Sequence, residues 1–496
     1  MAGFLDLPDE IQRLVCSFAD TPDVCRAYLA LAPRGQVVLA YLNDVRVVVT
    51  PAPDPFEIRS IIDFDFLKQL PPCRLKVILP TKDCGPIPEW FKQRKYPSVH
   101  VVFKEGGQPI QVHDWASHID TFEFEWLKDF EYHCGSATRA VFKDCADFFI
   151  TGDKLESFEA SGNISGVRHI PLNIKKLVFD SYTEIDVSKF PNLIHLRASK
   201  PLNVPWSQLQ TYSGDAKPIS ESLDDMVEFA SVADGAFSFK NIHCPKLEKV
   251  SLRANYSERE EYEITSLFTE AQMARLTSFM APQYVVRDIT PFVSLKVWST
   301  LSHDEITGDF AVPPSLVELH IASYQPVRNI PPQLKKFSFL GKGDWYGGSE
   351  GDDDVTVASP NLRELKVQQV PSVRVNCPRL TRLDFVDVFR VSAISAPSLV
   401  DLEYCGYNPF PFDTTDLPRL AILHLSDKRE SLVLERHLKS IILNGVELSD
   451  MRVNADFVRV LCSTIMRPPR NDGGYMHLCY SNITWEEVID RHVYAS

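Results

Sequence analysis

"SPNLRELKV" (359–367), "CPRLTRLDF" (377–385), "APSLVDLEY" (396–404) and "LPRLAILHL" (417–425) are four readings of one frame, Pro-x-Leu-x-x-Leu-x-apolar. Working outward, the frame returns in "PPSLVELHI" (313–321), "PPQLKKFSF" (331–339), "CPKLEKVSL" (244–252) and "FPNLIHLRA" (190–198). With the first Leu as anchor, clear copies sit at Ile174, Leu193, Leu247, Leu316, Leu334, Leu362, Leu380, Leu399, Leu420 and Leu438. Weaker copies at Val99, Ile119, Ala137, Leu155, Leu209, Met226, Leu276 and Leu295 fill the spaces, so most intervals are 16 to 21 residues. A short fixed period is the signature of a solenoid. One coil of that length cannot bury its apolar face alone, so it must stack on its neighbours.

Within each frame the last two apolar residues alternate as in a strand, which sends the residues between them to the opposite, concave face. The frame resembles leucine-rich repeats over roughly residues 95–445. It departs from them where the usual asparagine would follow the strand, since Tyr324, Val370 and Val388 stand there. A second alternating stretch precedes many of the prolines, as in "VTVASP" (355–360), "VRVNCP" (373–378) and "IDVSKFP" (185–191). Valine-rich, proline-stopped pieces of this length favour extended backbone. The expected fold is therefore a strand-rich, leucine-rich-repeat-like solenoid with strand and loop on its convex side as well.

Two long intervals mark insertions. "NYSEREEYEITSLFTEAQMARL" (255–276) begins with Ser257 and acids and ends near Arg275, which predicts a capped rim helix. "GKGDWYGGSEGDDD" (341–354) is an acidic glycine-rich loop. No Lys-Ser/Thr follows its glycines, and Glu350, Asp352, Asp353 and Asp354 would repel phosphate, so it reads as surface loop with Trp345 and Tyr346 as candidate contacts.

Composition narrows the function. A net charge of −14 opposes general binding to phosphate backbones, which needs clustered Lys and Arg, so nucleic acid is not an expected partner. No apolar run reaches membrane-spanning length, and no membrane partner is expected. Eleven scattered cysteines read as reduced thiols, hence a cytoplasmic and/or nuclear setting. His113-Asp114, "HDE" at 303–305 and His133-Cys134 lack HExxH or other metal-ligand spacing. No catalytic residue, metal or cofactor is assigned, and a binding role is expected in place of catalysis.

Outward positions on the concave strands carry both signs, including Lys176, His195, Lys249, Glu318, Glu364, Asp384, Asp401, Glu403 and His424. Arg197, Arg253, His320, Lys336, Lys366 and Arg382, with Trp345, are the candidate contacts to a protein substrate.

The chain opens with "FLDLPDEIQRLVCSFADTPDVCRAY" (4–28). Pro8 suits a first helical position, Asp9 and Glu10 complement the helix dipole, and Ile11, Leu14, Val15 and Phe18 form one apolar stripe. Thr21 and Pro22 open a second helix bearing Val24, Ala27, Tyr28 and Leu31. So small a helical core needs a cover, either a partner or the solenoid's first coil. Leu7-Pro8-x-Glu10-Ile11, then Val15, Ser17-Phe18 and Pro22-Asp23-Val24, resembles an F-box over residues 4–45, with Gln12 where a leucine is usual. Ahead of such repeats, the resemblance implies an F-box/leucine-rich-repeat protein, the substrate receptor of a cullin–RING ubiquitin ligase. Leu7, Pro8, Ile11, Val15, Phe18, Pro22 and Val24 would then bind the Skp-type adaptor, and through it a cullin. The alternative is a repeat scaffold for protein–protein interaction outside any ubiquitin ligase. The expected layout is an F-box-like domain at 1–45, a linking or capping segment at 46–94, the solenoid at 95–445 and a C-terminal cap at 446–496.

Overall fold

The computed structural model describes residues 46–49, 67–68, 70, 74–80, 89–104, 109, 119–181, 183–218, 222–231, 238–252, 267–285, 289–302, 312–323, 330–341, 355–405, 416–426, 432–445, 447–448, 451–461, 464–465, 470–472, 475–479 and 493–495. The opening stretch 4–45, Arg253, Trp345 and Tyr324 lie outside them. The chain divides into two compact units, Met1–Val227 and Glu228–Ser496.

In the first unit, β1 (Arg46–Val49), β2 (Arg74–Pro80), β3 (Ser98–Lys104), β4 (Ile119–Glu125), β6 (Arg139–Lys143), β8 (Ser157–Ser161), β9 (Lys176–Asp180), β11 (His195–Ala198) and β13 (Thr211–Gly214) form one ladder. Every successive pair is parallel. A short helix, α1 (Glu89–Gln93), precedes β3. Behind the ladder, β5 (Lys128–His133) pairs with β7 (Ala146–Thr151), and β10 (Ile185–Asp186) with β12 (Pro201–Leu202).

The second unit repeats the plan. Its parallel ladder runs through β14 (Glu228–Ser231), β15 (Lys249–Leu252), β16 (Ser278–Val285), β17 (Val297–Ser302), β18 (Glu318–Ser323), β19 (Lys336–Gly341), β21 (Glu364–Asn376), β22 (Arg382–Ser395), β23 (Asp401–Cys405) and β24 (Ile422–Ser426). It continues into β25 (Leu432–Asn444), β26 (Met451–Leu461), β27 (Tyr475–Cys479) and β28 (Val493–Ala495), while β20 (Val355–Ala358) pairs with the second half of β21. The first unit's ladder thus begins before residue 95 and the second unit's runs past residue 445, beyond the range over which the frame repeats.

Register explains the repeat. Eighteen anchors, ten clear and eight weak, are all at most 2% exposed. The frame's second leucine stacks on its counterparts, as Leu365, Leu383 and Leu402 do, and the next apolar position does the same through Val367, Phe385 and Tyr404. One acceptor motif ties the coils together. Lys335 and Lys336 both donate their N–H to Val317 O (2.9 and 3.1 Å), Arg363 and Glu364 to Lys335 O, and Thr381 and Arg382 to Arg363 O. A strand edge is satisfied coil by coil, so few backbone groups are left orphaned.

Aromatic stacks and aliphatic columns both occur in the core. In the first unit Phe124 and Phe142 stack at 5.0 Å and 7°, with Phe103, Phe148 and Phe158 adjoining them at 5.4, 4.6 and 4.8 Å. In the second, Leu319, Phe337, Leu365, Leu383, Leu402 and Leu423 make a mostly aliphatic column.

The missing asparagine has a structural answer. Val370 and Val388 are buried, each following a left-handed residue, Gln369 and Asp387 (φ 53° for both). The chain turns there on backbone geometry, and the valine fills the core. The first unit makes the same corner at Asp144 (φ 53°), where buried Cys145 donates its thiol to Phe124 O (3.3 Å). In the next coil Gly162 (φ 78°) occupies the corner, and a Cβ there would meet Asp144 Oδ1 at 2.4 Å. That Asp144 oxygen accepts the N–H of Asn163 at 2.9 Å, stitching one corner to the next.

Two local expectations change. "IDVSKFP" is extended only at Ile185–Asp186; Val187–Lys189 is a 3-10 turn because the Asp186 carboxylate accepts the Ser188 N–H (3.2 Å). In 255–276 the described helix is α2 (Glu270–Met273), capped by Thr269. Thr269 Oγ1 accepts the Gln272 N–H (3.3 Å), and Gln272 Oε1 accepts that of Thr269 (2.8 Å). The amide of buried Gln272 also donates to Phe239 O and Ile242 O (3.0 and 3.1 Å), so this polar residue pins the helix instead of weakening the core. Ser257 lies outside the described residues.

Candidate interaction face

Alternation along each strand sends the residues two, four and six beyond the anchor to the outer side of the ladder. In the second unit these form rows across strands: Glu318, Lys336, Glu364, Arg382 and Asp401 in one, and His320, Ser338, Lys366, Asp384 and Glu403 beside it. Signs alternate along the first row, and neighbours pair. Lys336 reaches Glu364 at 2.9 Å, Lys366 reaches Asp384 at 3.0 Å, and the His320 ring meets Glu318 at 2.8 Å. Arg382 lies between Asp401 (3.9 Å) and Glu403 (3.8 Å). The hydrogen bond to Glu364, with its charge, raises the Lys336 pKa.

Because Ser338 is small between larger neighbours, the rows leave a groove of about 460 Å³ lined by His320, Lys336, Lys366, Arg382, Asp384 and Gln368 among others. Four of the seven expected substrate contacts therefore converge: His320, Lys336, Lys366 and Arg382. Arg197 does not join them. It belongs to the first unit, on β11, where it pairs with Asp180 (2.9 Å). Arg253 and Trp345, and the adaptor set Leu7, Pro8, Ile11, Val15, Phe18, Pro22 and Val24, lie outside the described residues.

The first unit carries a cluster that the sequence reading did not single out. Glu123 Oε2 lies 2.8 Å from His100 Nε2 and 3.6 Å from Lys76 Nζ, and its other oxygen accepts a hydrogen bond from Lys143. Lys143 also reaches Glu125 at 3.0 Å, and Lys104 approaches the same carboxylate at 3.7 Å. One strand further, Glu159 accepts from both Arg139 and Lys176, each at 2.7 Å. Burial alone would push the Glu123 pKa up, but hydrogen bonds from His100 and Lys143 outweigh it and hold the carboxyl well below the usual range. Glu159 follows the same logic: burial raises its pKa, while Lys176 and Arg139 bring it down further than that. The anchors Ile119, Ala137 and Leu155 were the available signal, because counting two, four and six residues on from them lands on Glu123, Glu125, Arg139, Lys143 and Glu159.

Exposure varies along both faces, and in the second unit Asp384 is 13% exposed beside a Lys366 at 43%. The Glu123 side chain is 5% exposed under a Lys143 at 44%, and Glu159 is 17% exposed beside an Arg139 at 47%. In the second unit Glu364 and Lys336 stand out equally, at 45% and 47%. The thiols of Cys134, Cys145, Cys244 and Cys377 are free and buried, and burial pushes the pKa values of Cys145 and Cys377 up to about 11.

No protein-family model matches the chain, and no curated protein matches it. Among solved structures, one described as "The crystal structure of CroV588 a novel circular LRR protein structure" is 12% identical, covering 78% of this chain and 67% of that one with a TM-score of 0.31. The repeat assignment stands on the strand register and the buried anchors, not on that likeness.

Proposed function

We propose that this chain is a non-catalytic repeat scaffold for protein–protein interaction, working in the cytosol and/or nucleus. The observation that supports it most is the open outer row of the second unit, where charges of both signs surround the Ser338 groove. Mixed, half-exposed charges give specificity and steer association, which suits a protein surface better than a polyanion. The test is cross-linking mass spectrometry of the full chain against Ser338→Trp, which fills the groove without touching the core. Partners cross-linked to β18–β22 should be lost from the variant; an unchanged cross-link map would sink the reading.

A second reading adds a ubiquitin-ligase role, favoured by the Leu7-Pro8-x-Glu10-Ile11 motif and its position ahead of the repeats. In it the N-terminal segment docks a Skp-type adaptor and a cullin, and the outer face selects the substrate. Adaptor and cullin should then co-purify with the chain, and Leu7→Ala with Pro8→Ala should cut adaptor retention at least a hundredfold while the repeats melt as before. Co-purification of neither leaves the scaffold alone.

A further inference from the structure

We infer that the rear of the first unit takes up one extended segment of a partner protein, with basic and apolar residues alternating, as an added strand between residues 165–170 and β10. The site lies apart from the Ser338 groove and adds a second, separately testable contact to the scaffold reading.

A break in the rear ladder marks the place. β5 pairs with β7, and bridges from Ala146 to Ser165 and from Phe149 to His169 carry the pairing on to the next coil. Pairing resumes at β10 with β12. Among the described residues no backbone hydrogen bond crosses from 165–170 to β10, and a cavity of about 290 Å³ lies between them. The two coils still touch at the preceding corner, where Ser181 Oγ donates to Ile164 O (3.1 Å), so the opening begins beyond that corner.

Both walls are strand edges. Arg168 donates its N–H to Phe148 O (2.9 Å), toward β7, so alternation turns the N–H and C=O of Val167 and His169 to the cavity. Across it, Ile185 donates to Lys200 O (3.1 Å), toward β12, which turns Glu184 and the Asp186 N–H inward. A chain laid between them would pair with both edges, the way peptides add to a sheet. One strand takes about 4.8 Å of width and about 10 Å of depth, so two residues at about 3.3 Å each fill roughly 320 Å³, near the volume present. The floor is apolar, with Phe179 and Phe190 at 2% and 4% exposed, and Leu172 lines the cavity while 56% exposed.

Charge selects the partner. With histidine counted as neutral at pH 7, the lining residues and their ion partners hold four carboxylates for two cations. On one edge Arg168 meets both Asp129 (3.2 Å) and Glu131 (3.7 Å). On the other, Lys189 acts on Asp186, and exposed Glu184 has no ion partner among the described residues. Each edge is left with one carboxylate over. Side chains alternate along a strand, so apolar residues of the segment meet Phe179 and Phe190, while those between them face outward to the carboxylates. Basic residues suit these outer positions, and an acidic segment would be repelled.

The probe is a fluorescein-labelled Lys-Val-Lys-Val-Lys peptide, read by anisotropy against the full chain at low salt. Glu-Val-Glu-Val-Glu tests charge, and Lys-Pro-Lys-Pro-Lys tests pairing, because proline has no N–H to give the ladder. The first should bind at least tenfold more tightly than either. Glu184→Lys should weaken it at least tenfold, and Leu172→Trp, which narrows the cavity from its exposed side, at least threefold. If Leu172→Trp melts early, Glu184→Lys, at an exposed position without an ion partner, still carries the test. Hydrogen exchange should slow at 166–170 and 183–186 when the peptide binds. No saturable binding, equal binding of the acidic or the proline peptide, unchanged affinity in Glu184→Lys, or protection confined to other coils would overturn the inference. The Ser338→Trp chain should bind the peptide normally, so failure here is distinct from failure of the scaffold reading.

Discussion

In residues 1–227 Glu123 is 5% exposed and gathers Lys76, His100 and Lys143 around it; in 228–496 the outer charges meet mostly in simple pairs, from Glu364 and Lys336, which stand out alike, to Asp384, sunk to 13% beside Lys366. Both faces grow from the same register and the same anchor-plus-two, four and six positions. A solenoid therefore separates two choices that a globular core couples. The buried column sets whether coils stack, and the outer rows are free to vary in charge and depth. The cores vary as well, but within the units: the second sets its own rings, Phe239 on Phe268 at 5.3 Å and Phe279 on Phe292 at 6.0 Å, ahead of the aliphatic column.

The largest expected effect tests the cores. Phe142, in contact with three stacked rings, should lose about 3–5 kcal/mol on Phe142→Ala, and Leu383→Ala in the aliphatic column about 2–5 kcal/mol. Denaturant unfolding followed by hydrogen exchange should place each loss in its own unit and in adjacent coils. A loss spread evenly over both units would mean that the chain melts as one block, and the comparison would fail.

Next comes Glu123. Glu123→Gln should destabilise the first unit by about 1–3 kcal/mol, because a buried acceptor for His100 and Lys143 loses its charge. The sign of the pH dependence follows from the lowered pKa. The unfolded carboxyl titrates near 4.5 and the folded one below it, so this stabilisation is complete above about pH 4.5 and drains away as the pH falls. Acid titration of the melt should therefore be steeper for the wild type than for Glu123→Gln. Parallel curves would show that the carboxylate is not held as described.

The smallest effect belongs to the open row. Lys336→Gln breaks a pair whose members are both nearly half exposed, so screening leaves little to lose and the melting temperature should move by less than about 2 °C. A larger drop would show that this ladder of charges supports the fold and is not free for partners.

The stacking of Leu362, Leu380 and Leu399 was legible because a leucine every 16 to 21 residues has one packing solution. The weak anchors were legible by interpolation, and small Ala137 is as buried as any leucine. The depth of Glu123 was not legible. Its position is outward, and what holds it is Lys76, His100 and Lys143 from β2, β3 and β6, a property of register and not of its own neighbours. Nor were the corners, since Gln369 and Asp387 adopt left-handed backbone without a glycine to announce it. Convergence of His320, Lys336, Lys366 and Arg382 followed from the frame, while the groove among them depends on one small residue, Ser338. The opening 4–45 rests on its motif alone.

The carbonyl that ends one coil and receives two N–H groups from the next has a mechanical consequence. Pulled from its ends, such a chain loads these paired bonds one coil at a time, because each boundary repeats the same fastening. Each rupture frees one coil, for example the 18 residues from Leu362 to Leu380, and so lengthens the chain by about 55–60 Å, at roughly 3.3–3.6 Å per residue less the ~4.8 Å the coil already spans. Under tension the molecule would behave as a ratcheted tape, yielding in steps of similar size, with longer ones at the two insertions, and rewinding from whichever coil remains closed.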